Sequence, residues 1–195
     1  MFSNCDTFNQ DIGGWDTSSA TNMKSMLTNC TVFDQDIGSW DVSSVTTMQN
    51  MFQYAPAFNN GGATGINSWD TSSVTDMERM FYEATGFNQP IGDWDTSSVT
   101  NMGLMFEAYH GGATFNQDIG NWDVSGVTTF QRFMASITTL DGHQAFNNGG
   151  SSSISGWNTS SATNMSRMFA NCTGFNQPIG SWDTSSVTNM FAMLS

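Results

Sequence analysis

Seven tryptophans, Trp15, Trp40, Trp69, Trp94, Trp122, Trp157 and Trp182, divide the chain into steps of 25, 29, 25, 28, 35 and 25 residues. Ile stands three residues before each: Ile12, Ile37, Ile66, Ile91, Ile119, Ile154 and Ile179. Phe stands four residues before that Ile at Phe8, Phe33, Phe87, Phe115 and Phe175, while Phe58 and Phe146 lie four residues further back. The added residues there follow Asn59-Asn60-Gly61-Gly62 and Asn147-Asn148-Gly149-Gly150. Other insertions precede Phe115 (His110-Gly111-Gly112) and Phe146 (Thr138 to Gln144). Extra residues confined to fixed corners of a constant unit imply loops hung on a solenoid. Like residues of successive copies should then form vertical rows, with the seven Trp as one continuous ladder.

Local conformation is the next inference. After each Trp comes Asp-(Thr/Val)-Ser-Ser-(Val/Ala)-Thr-x-Met, or a close variant, and then apolar residues at i, i+3, i+4 and i+7. Met77, Met80, Phe81 and Ala84 show the spacing, as do Met48, Met51, Phe52 and Ala55. That stripe predicts a short amphipathic helix, with a preceding Ser or Thr as its cap. Phe8, Gln10 and Ile12 alternate like a strand. The expected fold is therefore α/β: about seven coils of strand, turn and short helix in a single domain, 1–195. Coils about 5 Å thick give a rod roughly 35 Å long.

The unit Phe-Asn-Gln-Asp-Ile-Gly-x-Trp-Asp-(Thr/Val)-Ser-Ser-Val-Thr-x-Met-x-x-Met-Phe resembles the repeat of the BspA-like leucine-rich-repeat surface proteins, including mycoplasmal lipoprotein repeats of unknown function. The resemblance spans essentially the whole chain. It implies an extracellular or surface solenoid, often in adhesion, and no catalytic residues. The Gly-Gly insertions depart from the family pattern, as does the lack of a signal peptide or lipid-anchor cysteine.

Composition narrows the partners. Net charge is −13 with only four basic residues, Lys24, Arg79, Arg132 and Arg167. The predicted helix carries all four on its solvated face. Such an acidic balance argues against binding nucleic acid, whose phosphates need the opposite sign, and against anionic membrane surfaces. No apolar run is long enough to span a membrane. The chain starts and stops within a repeat, which implies a segment of a longer array or ends that stack on other copies.

The Asp after Trp forms a column, Asp16, Asp41, Asp70, Asp95, Asp123 and Asp183, with Asn158 in the same place. Clustered carboxylates would suit calcium; equally, each can accept from the Ser-Ser turn that follows. Asn158 brings no charge and favours the turn. The Thr column Thr17, Thr71, Thr96, Thr159, Thr184 invites an ice-binding reading, although Val42 and Val124 interrupt it. Asn9, Asn88, Asn116 and Asn176 read as a structural amide ladder. Four Asn-x-(Ser/Thr) sequons, at Asn29, Asn158, Asn164 and Asn171, are what a chain this rich in those residues yields by chance. Cys5 and Cys30 share one repeat position in successive coils, compatible with a disulfide or with small buried side chains. Cys172 should be a buried thiol.

His110 and His143 stand singly, without the second ligand that metal binding or general-base work requires. No nucleophile pattern is readable, so an enzyme is not expected. The segments 59–65, 110–114, 138–144 and 147–153 are the only parts the repeat does not dictate. Asn60, Gly61, Gly62, His110, Gly111, Gly112, His143, Asn148, Gly149 and Gly150 are thus the binding candidates. The leading expectation is a non-enzymatic extracellular module that contacts a protein or glycan surface. The alternatives are copies stacked end to end in a filament or sheath, and ice binding.

Overall fold

A computed structural model describes residues 2–109, 112–136 and 145–195. Among these residues there is no α-helix and no extended strand. The regular elements are four short 3-10 turns, Asn60–Gly62, Gly65–Ser68, Asn148–Gly150 and Ser152–Gly156, and isolated parallel bridges. The expected strand–turn–helix coil is therefore wrong.

What replaces it is a coil made of β-turns. In the copy beginning at Met77, the amide of every turn-closing residue donates to the carbonyl three residues back: Met80 to Met77, Ala84 to Phe81, Phe87 to Ala84, Trp94 to Ile91 and Val99 to Thr96. Most residues at the two ends of each turn point inward; Met77, Met80, Phe81, Ala84, Phe87, Ile91, Trp94, Thr96 and Val99 are all buried. Two adjoining four-residue turns place apolar residues at i, i+3, i+4 and i+7. That spacing is also a helix face, and this coincidence explains the misreading.

In the paired turns the third residue has positive φ, as in turns of this kind: Arg79 at 55° and Glu83 at 59°, Asn50 at 59° and Tyr54 at 56°; after Met105 the second turn gives way to a bridge between Ala108 and Ser136. A non-Gly residue there costs about 1–2 kcal/mol, with Asn the usual exception. The offset comes from the next coil. Met77, Arg79, Phe81 and Glu83 donate their amides to the carbonyls of Asn101, Gly103, Met105 and Glu107 at 2.9–3.1 Å. On the adjoining stretch the direction reverses, with the Thr100 amide donating to Thr75 at 3.0 Å.

Side chains repeat this stacking. Trp69, Trp94 and Trp122 stack with nearly parallel ring planes, their centroids 6.1 and 6.4 Å apart. Phe33, Phe58 and Phe87 form a second stack at 6.0 and 5.9 Å. The Trp ladder changes character at Trp157, where the longest insertion, 35 residues after Trp122, has intervened. Trp157 stacks on Trp182 at 5.7 Å, but on its other side it stacks on Phe130 at 5.8 Å. Phe133 stands edge-on to both Trp122 and Trp157, at 6.5 and 6.2 Å. Phe130 and Phe133 replace the Met and the following Met of other copies, and the larger rings take part in a row the repeat reserves for Trp.

Each indole N–H from Trp40 to Trp182, that of Trp157 included, donates to the Ile carbonyl of the preceding coil, Trp94 to Ile66 at 2.7 Å and Trp157 to Ile119 at 3.3 Å. Trp15, in the first coil, is 41% exposed. A buried polar atom needs a partner, and this arrangement supplies one while the rings remain in the core.

Candidate functional site

Most polar columns of the repeat are spent on the chain itself. Asp16, Asp41, Asp70 and Asp95 accept from both the amide and the hydroxyl of the Ser two residues on, the hydroxyl at 2.6 Å in each case. Asp123 and Asp183 accept the same amide bond with the Ser125 and Ser185 hydroxyls beside them, and Asn158 makes the full arrangement with Ser160. These bonds hold the carboxyls of Asp16, Asp41, Asp95, Asp123 and Asp183 below the usual range, the Ser hydroxyl being the main cause in all but Asp183, where the amide leads. Among the described residues no group of three or more His, Cys, Asp or Glu side chains could hold a metal ion. Thr17, Thr71, Thr96 and Thr159 are buried, their hydroxyls donating to the carbonyls of Asp41, Asp95, Asp123 and Asp183. They offer no face to ice; Thr184, in the last coil, is exposed. A second Thr column does face solvent, Thr21, Thr46, Thr75, Thr100, Thr128, Thr163 and Thr188, and from Thr46 onward each donates to the Thr carbonyl of the coil before.

The Gly-Gly insertions are also more internal than their composition suggests. Asn60 and Asn148 are fully buried with positive φ. The Asn60 side chain accepts from the Ile37 amide at 2.9 Å and donates to the Asp36 carboxylate and the Ala63 carbonyl. Asn148 does the same with Ile119, Asp118 and Ser151. Gly61 and Gly149 sit at φ near 60°, their amides on Asp34 and Asn116. Gly62, Gly112 and Gly150 border open space. The candidates His110, Gly111 and His143, with segment 138–144, lie outside the described residues.

One edge of the molecule is different. Between and just after the buried apolar corners of this stretch, the intervening positions carry every Tyr, Arg, Lys and Glu in the sequence: Tyr54, Tyr82 and Tyr109, Arg79, Arg132 and Arg167, Lys24, Glu78, and the buried Glu83 and Glu107. Tyr54 and Tyr109 are 40% and 44% exposed, and Tyr82 meets Tyr54 edge-on at 5.3 Å. Burial, and then its bond to Tyr54, raise the Tyr82 phenol well above its usual range. Glu78 pairs with Arg79 at 3.1 Å and accepts from Gln49 at 2.7 Å. Arg167 lies over the Phe191 ring, 5.3 Å from its centre.

Glu107 is the anomaly of this edge. It is fully buried, its Oε1 is 3.3 Å from Arg132, and its Oε2 has no hydrogen-bond partner among the described residues. Burial pushes its carboxyl up to about 7 against the pull of Arg132, with Glu83 of the neighbouring coil adding to the rise. Glu83 accepts from the Tyr109 amide. Rings, guanidinium groups and a poorly satisfied buried carboxylate are equipment for recognition. The helix assignment concealed this edge, because it turned the same residues into an ordinary solvated face.

A family model described as Mycoplasma protein of unknown function, DUF285, matches residues 1–64, 61–148 and 138–195. The chain belongs to that family. Of the resemblance read from the repeat, this match shows a Mycoplasma family of unknown function and not the BspA-like leucine-rich assignment; among the described residues the coils carry no strand–helix pair of the leucine-rich kind. No curated protein and no solved structure matches the chain. Among the described residues, no helix is long and apolar enough to cross a membrane.

Proposed function

We propose that this DUF285 member is a non-enzymatic extracellular module that binds a protein or glycan partner through the tyrosine–arginine–glutamate edge. The observation that carries the reading is the segregation itself. The positions between and just after the apolar corners of this edge vary from coil to coil and hold all the Tyr, Arg, Lys and Glu, while the remaining sides repeat the same Asp, Ser, Thr and Asn. A scaffold needs only repeated, self-satisfying contacts. Side chains that differ in every coil make an edge able to distinguish one partner from another. The resemblance to BspA-like surface proteins belongs to this proposal and supplies its extracellular, adhesive setting.

The test is binding of the purified chain to glycan and cell-surface protein panels, followed by edge variants. Combined Tyr54→Ala, Tyr82→Ala and Arg132→Ala should weaken binding at least tenfold. Ser72→Ala with Ser97→Ala, on the Asp–Ser side, should leave affinity unchanged. The reverse pattern would move the site to the Asp–Ser side.

A second reading is end-to-end stacking of copies into a filament or sheath. The apolar side chains of the terminal coils favour it: Trp15 at one end, and Met190, Phe191 and Leu194, 45–65% exposed, at the other. Whatever coil lies against these faces would bury them. Sedimentation at rising concentration separates the readings, growth of long particles supporting stacking and a constant monomer supporting the edge alone.

A further inference from the structure

Cys5 and Cys30 occupy one position of neighbouring coils, and contacts on both sides fix their register. Just before them, the Asn29 side-chain amide donates to the Asn4 side-chain oxygen at 2.6 Å. Just after, the Thr31 hydroxyl donates to the Asp6 carbonyl at 3.1 Å. The Cys5 amide and the Cys30 thiol share one acceptor, the Phe2 carbonyl, each at 3.1 Å. Cys30 Sγ is thus within two hydrogen-bond lengths of the Cys5 backbone. Parallel neighbours about 4.8 Å apart fall inside the Cα separations that disulfides span. Elsewhere the position holds Ala55, Ala84 and Tyr109, and Cys172 has no cysteine at the same position of an adjoining coil. Both thiols are free as the structure stands.

We propose that Cys5 and Cys30 are a redox staple, closing to a disulfide between adjacent coils when the protein meets a small-molecule disulfide such as oxidised glutathione. Cys5 is half-buried and Cys30 fully buried, so the reagent meets Cys5 first. The Cys5 thiolate attacks one glutathione sulfur and releases one glutathione as thiolate, leaving a mixed disulfide on Cys5. The Cys30 thiol then loses its proton and attacks Cys5 Sγ, expelling the second glutathione. Two protein thiols become one disulfide, and one oxidised glutathione becomes two reduced ones. Burial raises the Cys30 thiol above its usual range, which makes the second step the slow one and speeds it with rising pH.

The experiment treats the folded full chain with oxidised glutathione, quenches with acid, unfolds it and counts thiols. Three thiols should fall to one, with a peptide linking Cys5 to Cys30 found by mass spectrometry. Cys172→Ser should leave that linkage intact, and Cys30→Ser should stop the reaction at glutathione on Cys5. A thiol count that stays at three overturns the proposal, as does persistent glutathione on Cys5 in the unaltered chain or a link between chains. Oxidation of the unfolded chain is the control. It should scatter pairs among all three cysteines, and a Cys5–Cys30 link found only there would equally sink the staple.

Discussion

The Asp–Ser side and the tyrosine edge are built on the same inner residues, yet they use their outward positions in opposite ways. On the first, polar groups close on each other within a coil, as Asp95 does with Ser97, or reach the coil beside it, as Thr96 does with Asp123. On the second, Tyr54 stands in solvent and Glu107 is buried with one oxygen unanswered. Self-satisfaction gives a side that can be copied indefinitely and recognises little. Incomplete satisfaction gives an edge that costs stability and can be completed by something else.

The comparison breaks first at the core both sides share. Trp94→Ala removes a ring stacked on Trp69 and Trp122 and an indole bond to Ile66. It should cost about 3–5 kcal/mol in denaturant unfolding, whereas exposed Tyr54→Ala should cost under about 1 kcal/mol. A similar loss for both would mean the edge is structural.

Glu107 gives the next effect. Its folded pKa of about 7 lies above the ordinary value of 4.5, so the folded form holds this proton where the unfolded form has lost it. Its contribution is fully present below about pH 4.5 and disappears as pH rises through 7, a swing on the order of 3 kcal/mol. Unfolding at pH 5 and pH 8 should show the loss, and Glu107→Gln should flatten it. Asp16, Asp41, Asp95, Asp123 and Asp183 run the other way, since lowered carboxyl values contribute above the unfolded pKa and are lost in acid.

Ser25 has φ of 55° in one of the paired turns. Ser25→Gly relieves that geometry and should raise stability by up to about 1 kcal/mol. Ser25→Val should lower it, because a β-branched residue fits this region worst. The smallest effect belongs to Asp95→Asn. Asn158 makes the same turn with Ser160, so the melting temperature should barely move, while Asp95→Ala should lower it measurably.

What the sequence made readable was which residues face inward. Trp, Ile, Phe and Met recur at positions whose burial follows from spacing alone. Spacing did not show that the Trp row would admit Phe130 and Phe133 beside Trp157, since that depends on how large rings share one layer. Local conformation was not readable either, because Met77, Met80, Phe81 and Ala84 satisfy a helix and a pair of turns equally. A discriminating signal was present in Asn4, Asn29, Asn50 and Asn171, whose residue type favours positive φ. Arg79, Glu83 and Leu104 at equivalent places diluted it. The same ambiguity hid the edge. Asn60 and Asn148 were missed for a different reason: a Gly-rich neighbourhood reads as an outside loop, and only the contacts of their amides show them sealed within.

A backbone of turns has a spectroscopic consequence. Among the described residues there is no α-helix and no extended strand, so the far-ultraviolet circular dichroism would lack the familiar helix and sheet signatures even when the core is fully packed. The indoles of Trp94 and Trp122, parallel within 1° and 6.4 Å apart, are close enough for their transitions to couple. Folding of this protein is therefore best followed through its tryptophan optics, where order and disorder give different signals.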